Sequence, residues 1–263
     1  MENYVIQGKV IKLLRMDYPK VNHFHTDTRL LLDRTQVLIQ NTSFEYKQLL
    51  ENASQVIEDK RIQPLQHRLS AYVDLDIFPS ENSTSQNEAI FYHQFYPTLS
   101  DIVNNSLSFI QFIEKIGSEI TRRSIPVRKA NIRTVPDKDG SYTEFIDISL
   151  LSESLSNLRE YAKGNSDDNK LLHAIIFAVM FMHIHPLQDG NGRAARILFN
   201  LMLQIKPLSY LPLTELCHFA RSGYVLSLRE AFLFSEWDNI IKFYCNCIHL
   251  LYGSATSELT SMQ

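Results

Sequence analysis

The stretch HPLQDGNGRAAR, residues 185–196, decides how the rest of this chain is interpreted. It follows a long apolar segment, LLHAIIFAVMFMHI (171–184), and opens with a His-Pro pair. Proline stops the preceding helix from continuing normally, while Gly190 and Gly192 allow backbone angles that a side chain would forbid. The sequence therefore predicts a tight loop between two helices.

The residues after this loop predict an anion-binding site. If GRAARILFNLMLQ (192–204) forms a helix, its unpaired N–H groups and the positive end of its dipole face the loop. Arg193 and Arg196 then lie on one face of that helix, three residues apart. Guanidinium groups bind phosphate oxygens bidentately, so two of them beside a glycine-rich loop suit a polyphosphate better than a single carboxylate. We expect a nucleoside triphosphate as the ligand.

Two further side chains of the loop supply chemistry. Asp189 offers one carboxylate, which fits Mg²⁺ because that ion takes one or two protein carboxylates and completes its shell with water and phosphate. His185 offers a base, because a neutral imidazole accepts a proton from a hydroxyl at physiological pH. Each feature alone has a commoner structural explanation, such as a helix end, a turn or a solvated face. Together they indicate phosphoryl or nucleotidyl transfer.

Composition limits the classes of partner. The chain has 263 residues, is 44% hydrophobic and carries a net charge of -3, so no global field favours nucleic acid or an anionic membrane. Three cysteines are too few for a disulfide framework and are interpreted as buried thiols in a reducing compartment. The N-terminus lacks the pattern of a secretory signal, and 171–184 is too short to span a bilayer. We therefore expect a cytoplasmic protein.

The pattern along the chain predicts a mainly α-helical fold. The first 60 residues read as helical, with a break near Asn41, and 77–86 reads as a loop. Alternating residues between Ile125 and Ile148, around the turn PDKDG, predict a β-hairpin, the only confident strand pattern. The helices predicted after it cover 149–163, 169–185, 192–205, 212–220, 222–233 and 236–252.

Three regions follow from this pattern. We predict an N-terminal helical region over 1–85, a core domain over 86–252 and a polar tail over 253–263. The expected architecture is a helical bundle with a short β-hairpin and an N-terminal helical extension.

The twelve residues HPLQDGNGRAAR resemble the signature of the Fic family, HPFx(D/E)GNGRxxR, which is long and highly specific. Weaker similarity runs from about residue 45 to about residue 245. The resemblance implies a helical fold with a β-hairpin flap over the active site. It also implies transfer of AMP from ATP to a Ser, Thr or Tyr hydroxyl of a protein. One departure is Leu187, where the family packs a phenylalanine into the core; leucine is apolar but smaller.

The resemblance also assigns roles to single residues. His185 would deprotonate the target hydroxyl, and Asp189 would hold Mg²⁺ against the α- and β-phosphates of ATP. The flap would be the segment 141–146, to which the target chain would add as a strand.

The remaining roles concern the phosphates. Arg193 would contact the β-phosphate region and Arg196 the γ-phosphate, while Asn200, one turn beyond Arg196, would support the site. Backbone amides of the loop would form the anion hole, at Gly190, Asn191 and Gly192.

Many Fic proteins are held inactive by a helix with the pattern (S/T)xxxE(G/N). Its glutamate pairs with the second arginine of the signature and blocks productive placement of the γ-phosphate. In this chain Ser54 and Glu58 fit the spacing and share a helical face, although Asp59 stands where Gly or Asn is expected. We therefore predict Ser54 and Glu58 as regulatory residues, with Glu58 paired to Arg196.

A second match to the inhibitory pattern runs from Thr84 to Glu88. It falls in the loop-like stretch and has Ala89 at its last position. We therefore prefer the helix that carries Glu58.

The predicted function is a protein adenylyltransferase that uses ATP and Mg²⁺ and is inhibited by its own N-terminal helix. The expected partner is a protein with a hydroxyl side chain; self-modification and a homodimer are compatible with the sequence, and no nucleic acid or membrane is expected. Two alternatives stay open: transfer of another phosphate-containing group such as UMP, phosphate or phosphocholine, and a catalytically weak nucleotide-binding regulatory module. Gly192 argues against the kinase-like branch, which carries a bulkier residue there, and the complete set from His185 to Arg196 argues against binding alone.

Overall fold

A computed structural model describes residues 3–20, 23–66, 85–96, 99–137, 139–164 and 169–253. Within these ranges the chain forms eleven α-helices and one three-stranded sheet, which confirms the predicted mainly helical class. The helices are α1 (Thr26–Asn41), α2 (Tyr46–Glu58), α3 (Gln86–Phe95), α4 (Leu99–Val103), α5 (Ser106–Thr121), α6 (Leu151–Lys163), α7 (Lys170–Ile184), α8 (Asn191–Met202), α9 (Leu213–Phe219), α10 (Arg221–Phe234) and α11 (Asp238–Leu251). The strands are β1 (Tyr4–Gln7), β2 (Val10–Leu13) and β3 (Tyr142–Glu144).

Helix α7 is the centre of the molecule. Its sequence is apolar on every face, and twelve of its residues are buried, as expected for a helix surrounded by others. Helices α1, α6, α8 and α11 pack around it. The loop that starts at His185 therefore begins at the end of a deeply buried helix.

The N-terminus corrects one prediction. Residues 4–13 form the antiparallel hairpin β1–β2 and not a helix, with Gln7 paired to Val10 across a two-residue loop. Gly8 takes a φ of +62° in that loop, a conformation that glycine adopts without steric cost. The signal was a pair of short runs rich in β-branched residues, YVIQ and VIKL, on either side of Gly8-Lys9, which the helical interpretation of this region overlooked.

The predicted hairpin between residues 125 and 148 is present in a shorter form. Arg133 forms an antiparallel bridge with Glu144, and the Thr134 N–H donates to the Thr143 carbonyl over 2.9 Å. On its other side β3 pairs in parallel with β2, so that the sheet order is β1-β2-β3. From here on, the flap means residues 131–137 and 139–146, which adds the bridged segment to the predicted 141–146. β3 is thus an edge strand of the sheet, and its outer side is covered by the bridged segment around Arg133.

One hydrophobic core joins both ends of the described chain. Leu49 and Val56 of α2 belong to the same buried cluster as the apolar residues of α7 and α8. The predicted boundary at residue 85 remains a prediction, and the predicted tail lies outside the described residues beyond Gly253. The three cysteines are buried free thiols, as predicted. Among the described helices, none is both long enough and apolar enough to cross a bilayer.

Candidate active site

The loop between α7 and α8 is a rigid connection. Helix α7 ends at Ile184, and the next residue, His185, takes the left-handed conformation with a φ of 51°. Gly190, with a φ of 83°, precedes α8. The Asn191 side chain clamps the turn between them, because its Oδ1 accepts from the Leu187 N–H over 2.9 Å and its Nδ2 donates to the Leu187 carbonyl over 2.8 Å. The loop geometry is therefore fixed by its own polar side chain.

Leu187 anchors this loop in the core. It is completely buried and forms an antiparallel bridge with Val127 in the segment that leads to the flap. Its side chain packs against Gly117 of α5, where an added Cβ would lie only 2.9 Å from Leu187 Cδ1. Leu187, at the position where the signature has phenylalanine, thus packs directly against the backbone of α5 at Gly117.

His185 is held in one orientation. Its Nδ1 lies 3.1 Å from the Met182 carbonyl, which can only accept, so Nδ1 carries the proton and Nε2 keeps its lone pair. The Phe145 ring of the flap stacks on the imidazole at 3.7 Å between centroids and 17° between planes. The pKa of His185 is lowered to about 4, chiefly by burial and also by the charge of Arg128, against the opposing effects of Met182 and Asp189. The imidazole is thus a neutral base at physiological pH.

Asp189 stands half-exposed at the mouth of the loop. One of its oxygens accepts from the Gly190 N–H over 2.6 Å, and the other pairs with Arg123 from the end of α5. Arg193 Nη2 lies 3.9 Å from the first oxygen. The ion pair with Arg123 is solvent-exposed on both sides and therefore weak. A divalent cation with its own water ligands can displace this guanidinium at low cost.

The two arginines of the loop differ in their surroundings. Arg193 is half-exposed, and its Nη1 donates to the Ile120 carbonyl over 3.1 Å. Arg196 points into the protein with 8% of its surface exposed, and its Nη1 would lie 3.5 Å from a Cβ added at Gly192. Gly192 has no side chain, so the backbone at the start of α8 is open to a ligand.

Arg196 is bound to a buried carboxylate that belongs to Glu88 of α3. Arg196 Nη2 lies 2.7 Å from Glu88 Oε1, and the Thr214 hydroxyl donates to the same oxygen over 2.8 Å. The Tyr210 hydroxyl donates to Glu88 Oε2 over 2.9 Å. Glu88 is 1% exposed, so its carboxylate is shielded from water. The Arg196 guanidinium balances its charge, and the hydroxyls of Thr214 and Tyr210 donate hydrogen bonds to its oxygens.

This arrangement corrects the predicted partner of Arg196. Ser54 and Glu58 lie on the exposed side of α2, where the Ser54 hydroxyl donates to the Leu50 carbonyl, and the structure does not bring Glu58 to Arg196. The predicted pairing is wrong because the buried face of α2 is apolar and faces the core. Glu88, from the second match to the inhibitory pattern, pairs with Arg196 instead. Thr84, the first residue of that match, lies outside the described residues.

Asn200 supports the site from below. Its Nδ2 donates to the Arg196 carbonyl over 3.0 Å, and its Oδ1 accepts from the Leu211 N–H over 2.8 Å. Asn200 therefore connects the second turn of α8 to the segment that carries Tyr210 and Thr214. Asn200 thus helps to hold α8 in place. Its side chain is buried, and its polar atoms are occupied by these hydrogen bonds.

These groups surround one open cleft of about 1130 Å³. The loop from His185 to Arg193 lines one side of it, and α3, α9 and α10 line the other. Five arginines contribute to its wall, at Arg122, Arg123, Arg193, Arg196 and Arg221. They outnumber the two carboxylates of the wall, Glu88 and Asp189, although the whole chain has a net charge of -3. The positive charge expected for polyphosphate binding is therefore concentrated locally.

Sequence reasoning missed several residues of this site. Glu88 was visible as the second match to the inhibitory pattern, and its acidic side chain in the first turn of α3 suits a helix N-terminus. Arg123, Phe145, Tyr210 and Thr214 left no local signal, because only the packing of distant segments brings them to the loop. Arg128, which bonds to the His185 carbonyl, belongs to the same group.

Comparison with known proteins shows what this part of the chain is similar to. The Fic/DOC family model matches residues 106–203, from the start of α5 to the end of α8. A Fic family protein from Desulfovibrio desulfuricans G20 has a TM-score of 0.57 at 16% identity, over 94% of this chain and 77% of that chain. Two forms of Fic-1 from C. elegans, each 14% identical, have TM-scores of 0.48 and 0.47 over 89% and 90% of this chain and 73% and 74% of theirs. No curated protein sequence matches the chain significantly.

Proposed function

Residues 106–203 of this chain form a Fic/DOC family domain, and on that premise we propose that the protein transfers AMP from ATP to a hydroxyl group of a protein. One observation carries the proposal. A neutral imidazole, a half-exposed carboxylate, a helix N-terminus and two arginines converge on a single cleft with excess positive charge. A polyphosphate and an incoming hydroxyl are the ligands that this set can use together.

His185 acts as the base in this reaction. Its free Nε2 takes the proton of the target hydroxyl, while the hydroxyl oxygen forms a bond to the α-phosphorus of ATP. The bond between the α-phosphorus and the bridging oxygen breaks, and pyrophosphate leaves with that electron pair. Met182 and Phe145 keep the ring in place during the step, because one bonds to Nδ1 and the other stacks on its face.

The phosphates are held by the loop and by α8. The N–H groups at the start of α8 and the guanidinium of Arg193 face the cleft and balance the charge of the triphosphate. Asp189 is the carboxylate that would hold Mg²⁺, since its position and exposure fit an ion that keeps most of its water and phosphate ligands. When bound, the ion neutralises charge on the phosphates.

Glu88 inhibits the reaction in this proposal. It occupies the guanidinium of Arg196, the group that would otherwise meet the γ-phosphate, and it adds a negative charge beside the triphosphate. ATP then binds with its α-phosphorus badly placed for attack. Inhibition therefore comes from α3 and not from α2.

The target protein adds to the flap as an extended strand. Since β2 already pairs with β3, the outer side of 132–134 is the part of the flap that is open to a new strand. In the described part of the chain, the Arg133 N–H and carbonyl make no backbone hydrogen bond, because the bonds of the bridge belong to Ile132 and Thr134. Pairing there would bring a target side chain past Phe145 to His185.

A labelled transfer assay tests the proposal. Glu88→Gly protein is incubated with Mg²⁺ and ATP that carries the label on either the α- or the γ-phosphate, and intact mass identifies the group added. Transfer of the α-label alone, lost in Glu88→Gly/His185→Ala protein, is expected. Transfer of the γ-label would identify a phosphotransferase, and stoichiometric ATP binding without any transfer would identify a binding module.

A further inference from the structure

Arg128 is a buried arginine whose hydrogen bonds all go to backbone carbonyls. It lies between α5 and the flap and is 2% exposed. Nε donates to the His185 carbonyl over 3.0 Å, and Nη1 donates to the Ala130 carbonyl over 3.0 Å. Nη2 donates to the Ile146 carbonyl over 2.6 Å and, more weakly, to the Ile184 carbonyl over 3.4 Å. None of the ion pairs in the described part of the chain includes Arg128.

A guanidinium in this position needs an explanation beyond stability. Moving a charged group from water into the protein interior costs roughly several kcal/mol. Apolar residues of similar size often stabilise a core at least as well as a buried charge does. What the guanidinium provides is geometry, because its rigid fork reaches several carbonyls at once. Two of those carbonyls close the C-terminus of α7, where the helix dipole and the unpaired oxygens favour a cation.

The contacts of Arg128 converge on the catalytic histidine from two directions. His185 has the left-handed backbone, an uncommon state for a residue with a side chain, and its carbonyl is bound by Nε. The Arg128 N–H also donates to the Pro186 carbonyl over 2.8 Å. On the other side, Ile146 follows Phe145, whose ring stacks on the imidazole. One guanidinium thus fixes both the backbone that carries the base and the strand end that covers it.

We propose that Arg128 is a positioning residue that sets the orientation of His185 and locks the flap to the catalytic loop. It touches neither the nucleotide nor the hydroxyl. The inference rests on the proposed function, in which His185 is the base. It predicts that loss of the guanidinium damages the chemical step and spares nucleotide binding.

Steady-state kinetics in the Glu88→Gly background tests this split. In Arg128→Met protein, kcat should fall on the order of 100-fold, as expected for a misplaced base, while KM and Kd for ATP change less than about twofold. Arg128→Lys keeps the positive charge but loses the planar set of guanidinium donors, so its kcat should lie between that of the parent and that of Arg128→Met. Guanidinium ion should restore part of the activity of Arg128→Ala protein. Arg159→Met, which removes a largely buried guanidinium of α6, serves as the matched control and should keep the parent kcat.

A second readout does not depend on activity. In the parent protein, ¹⁵N NMR of His185 should report one tautomer, with the proton on Nδ1, and Arg128→Met should show exchange between tautomers or ring positions. If Arg128→Met keeps the parent kcat and the parent spectrum, the proposal is wrong. It is also wrong if ATP binding and thermal stability are lost in proportion to kcat, since that marks a general structural role. If the parent transfers no group at all, the proposed function fails, and the spectrum alone decides on Arg128.

Discussion

Nη2 of Arg196 lies 2.7 Å from Oε1 of Glu88, and both side chains are buried. Thr214 and Tyr210 donate to the same carboxylate, so three residues hold it in place. A carboxylate in this position takes the donor that the proposed γ-phosphate site requires. The first prediction follows from this contact.

Replacing Glu88 with glycine should activate the protein. The change frees Arg196 and removes a negative charge from the cleft, so self-modification with α-labelled ATP should rise at least about tenfold, equivalent to roughly 1.4 kcal/mol of lost inhibition. Glu58→Gly, on the exposed side of α2, is the matched control and should leave the rate unchanged. Adding Arg196→Ala to Glu88→Gly should abolish the gain. Activation by Glu58→Gly and not by Glu88→Gly would show that the wrong carboxylate is assigned here.

The same substitution should lower stability. Glu88→Gly leaves the Arg196 guanidinium buried without its counter-ion, and breaking one side of a buried ion pair costs about 3–5 kcal/mol. Since the γ-phosphate can replace the lost carboxylate, ATP with Mg²⁺ should raise the melting temperature more in the variant than in the wild type. Calorimetry with and without nucleotide measures both effects. Equal stabilisation of both proteins by ATP would argue against phosphate binding at Arg196.

The partner of Arg196, where Glu58 was expected and Glu88 is found, shows what sequence patterns can and cannot predict. The central helix, the loop and the helices that follow it were predictable because they depend on periodicity and on Pro and Gly at fixed positions. Glu58 and Glu88 both satisfy the local spacing. Only the packing of α3 against α8 decides between them, and no pattern in a single segment contains that information.

The pairing of the flap with the N-terminal hairpin is a second feature that no single segment of sequence predicts. The alternation around the turn was enough to predict the flap, but its partner β2 lies about 130 residues earlier in the chain. Arg128 is a lone arginine in an extended segment, and nothing in its neighbours marks a residue that bonds to the end of α7. Contacts between distant segments therefore account for most of what the sequence reasoning missed.

His185→Ala should abolish transfer and leave nucleotide binding largely intact, because the imidazole acts on the hydroxyl and not on the phosphates. In the Glu88→Gly background, kcat/KM should stay level from pH 8 down to about 5, because the lowered pKa of His185, about 4, keeps the imidazole neutral in that range. If the base were a histidine with the ordinary pKa of about 6.5, half of the protein would carry a protonated imidazole near that pH, and kcat/KM would fall by half there.

Acid unfolding needs a separate control in that experiment. The pKa of His185 is lower in the folded than in the unfolded protein, so the unfolded state binds more protons between about pH 6.5 and 4, and stability falls as the pH drops through this window. Circular dichroism at each pH separates unfolding from loss of the base. A midpoint near 6.5 in a fully folded protein would contradict the lowered pKa of His185.

Asp189→Asn should remove the part of nucleotide binding that depends on Mg²⁺, since it deletes the carboxylate of the loop. Arg123→Met should have the opposite effect, because it removes the cation that pairs with Asp189 in the absence of metal. An exposed pair of this kind contributes about 0.2–1 kcal/mol, so Mg²⁺ affinity should rise only a few-fold. Isothermal titration calorimetry of ATP with and without Mg²⁺ measures both. Unchanged Mg²⁺ dependence in Asp189→Asn protein would exclude this residue as the ligand.

Gly117→Ala should weaken the anchor of the loop between α7 and α8. Alanine would gain about 1 kcal/mol in helix propensity, but its Cβ would lie 2.9 Å from Leu187 Cδ1 and 3.1 Å from Ile125 Cγ2, and overpacking of this kind costs about 1–3 kcal/mol. Leu187 has little freedom to move away, because it is fully buried and its backbone is clamped by Asn191. We expect net destabilisation in chemical denaturation.

The double variant Gly117→Ala/Leu187→Ala should cost less than the sum of its two single changes, because the smaller residue at 187 makes room for the new methyl group. The same close approach gives a physical reason for leucine at this position, where the family signature has phenylalanine. Leu187→Phe should therefore destabilise this protein as well, and Gly117→Ala/Leu187→Phe should be worse than additive. Strict additivity in both double variants would show that α5 yields enough to remove the contact, and the leucine would then need another explanation.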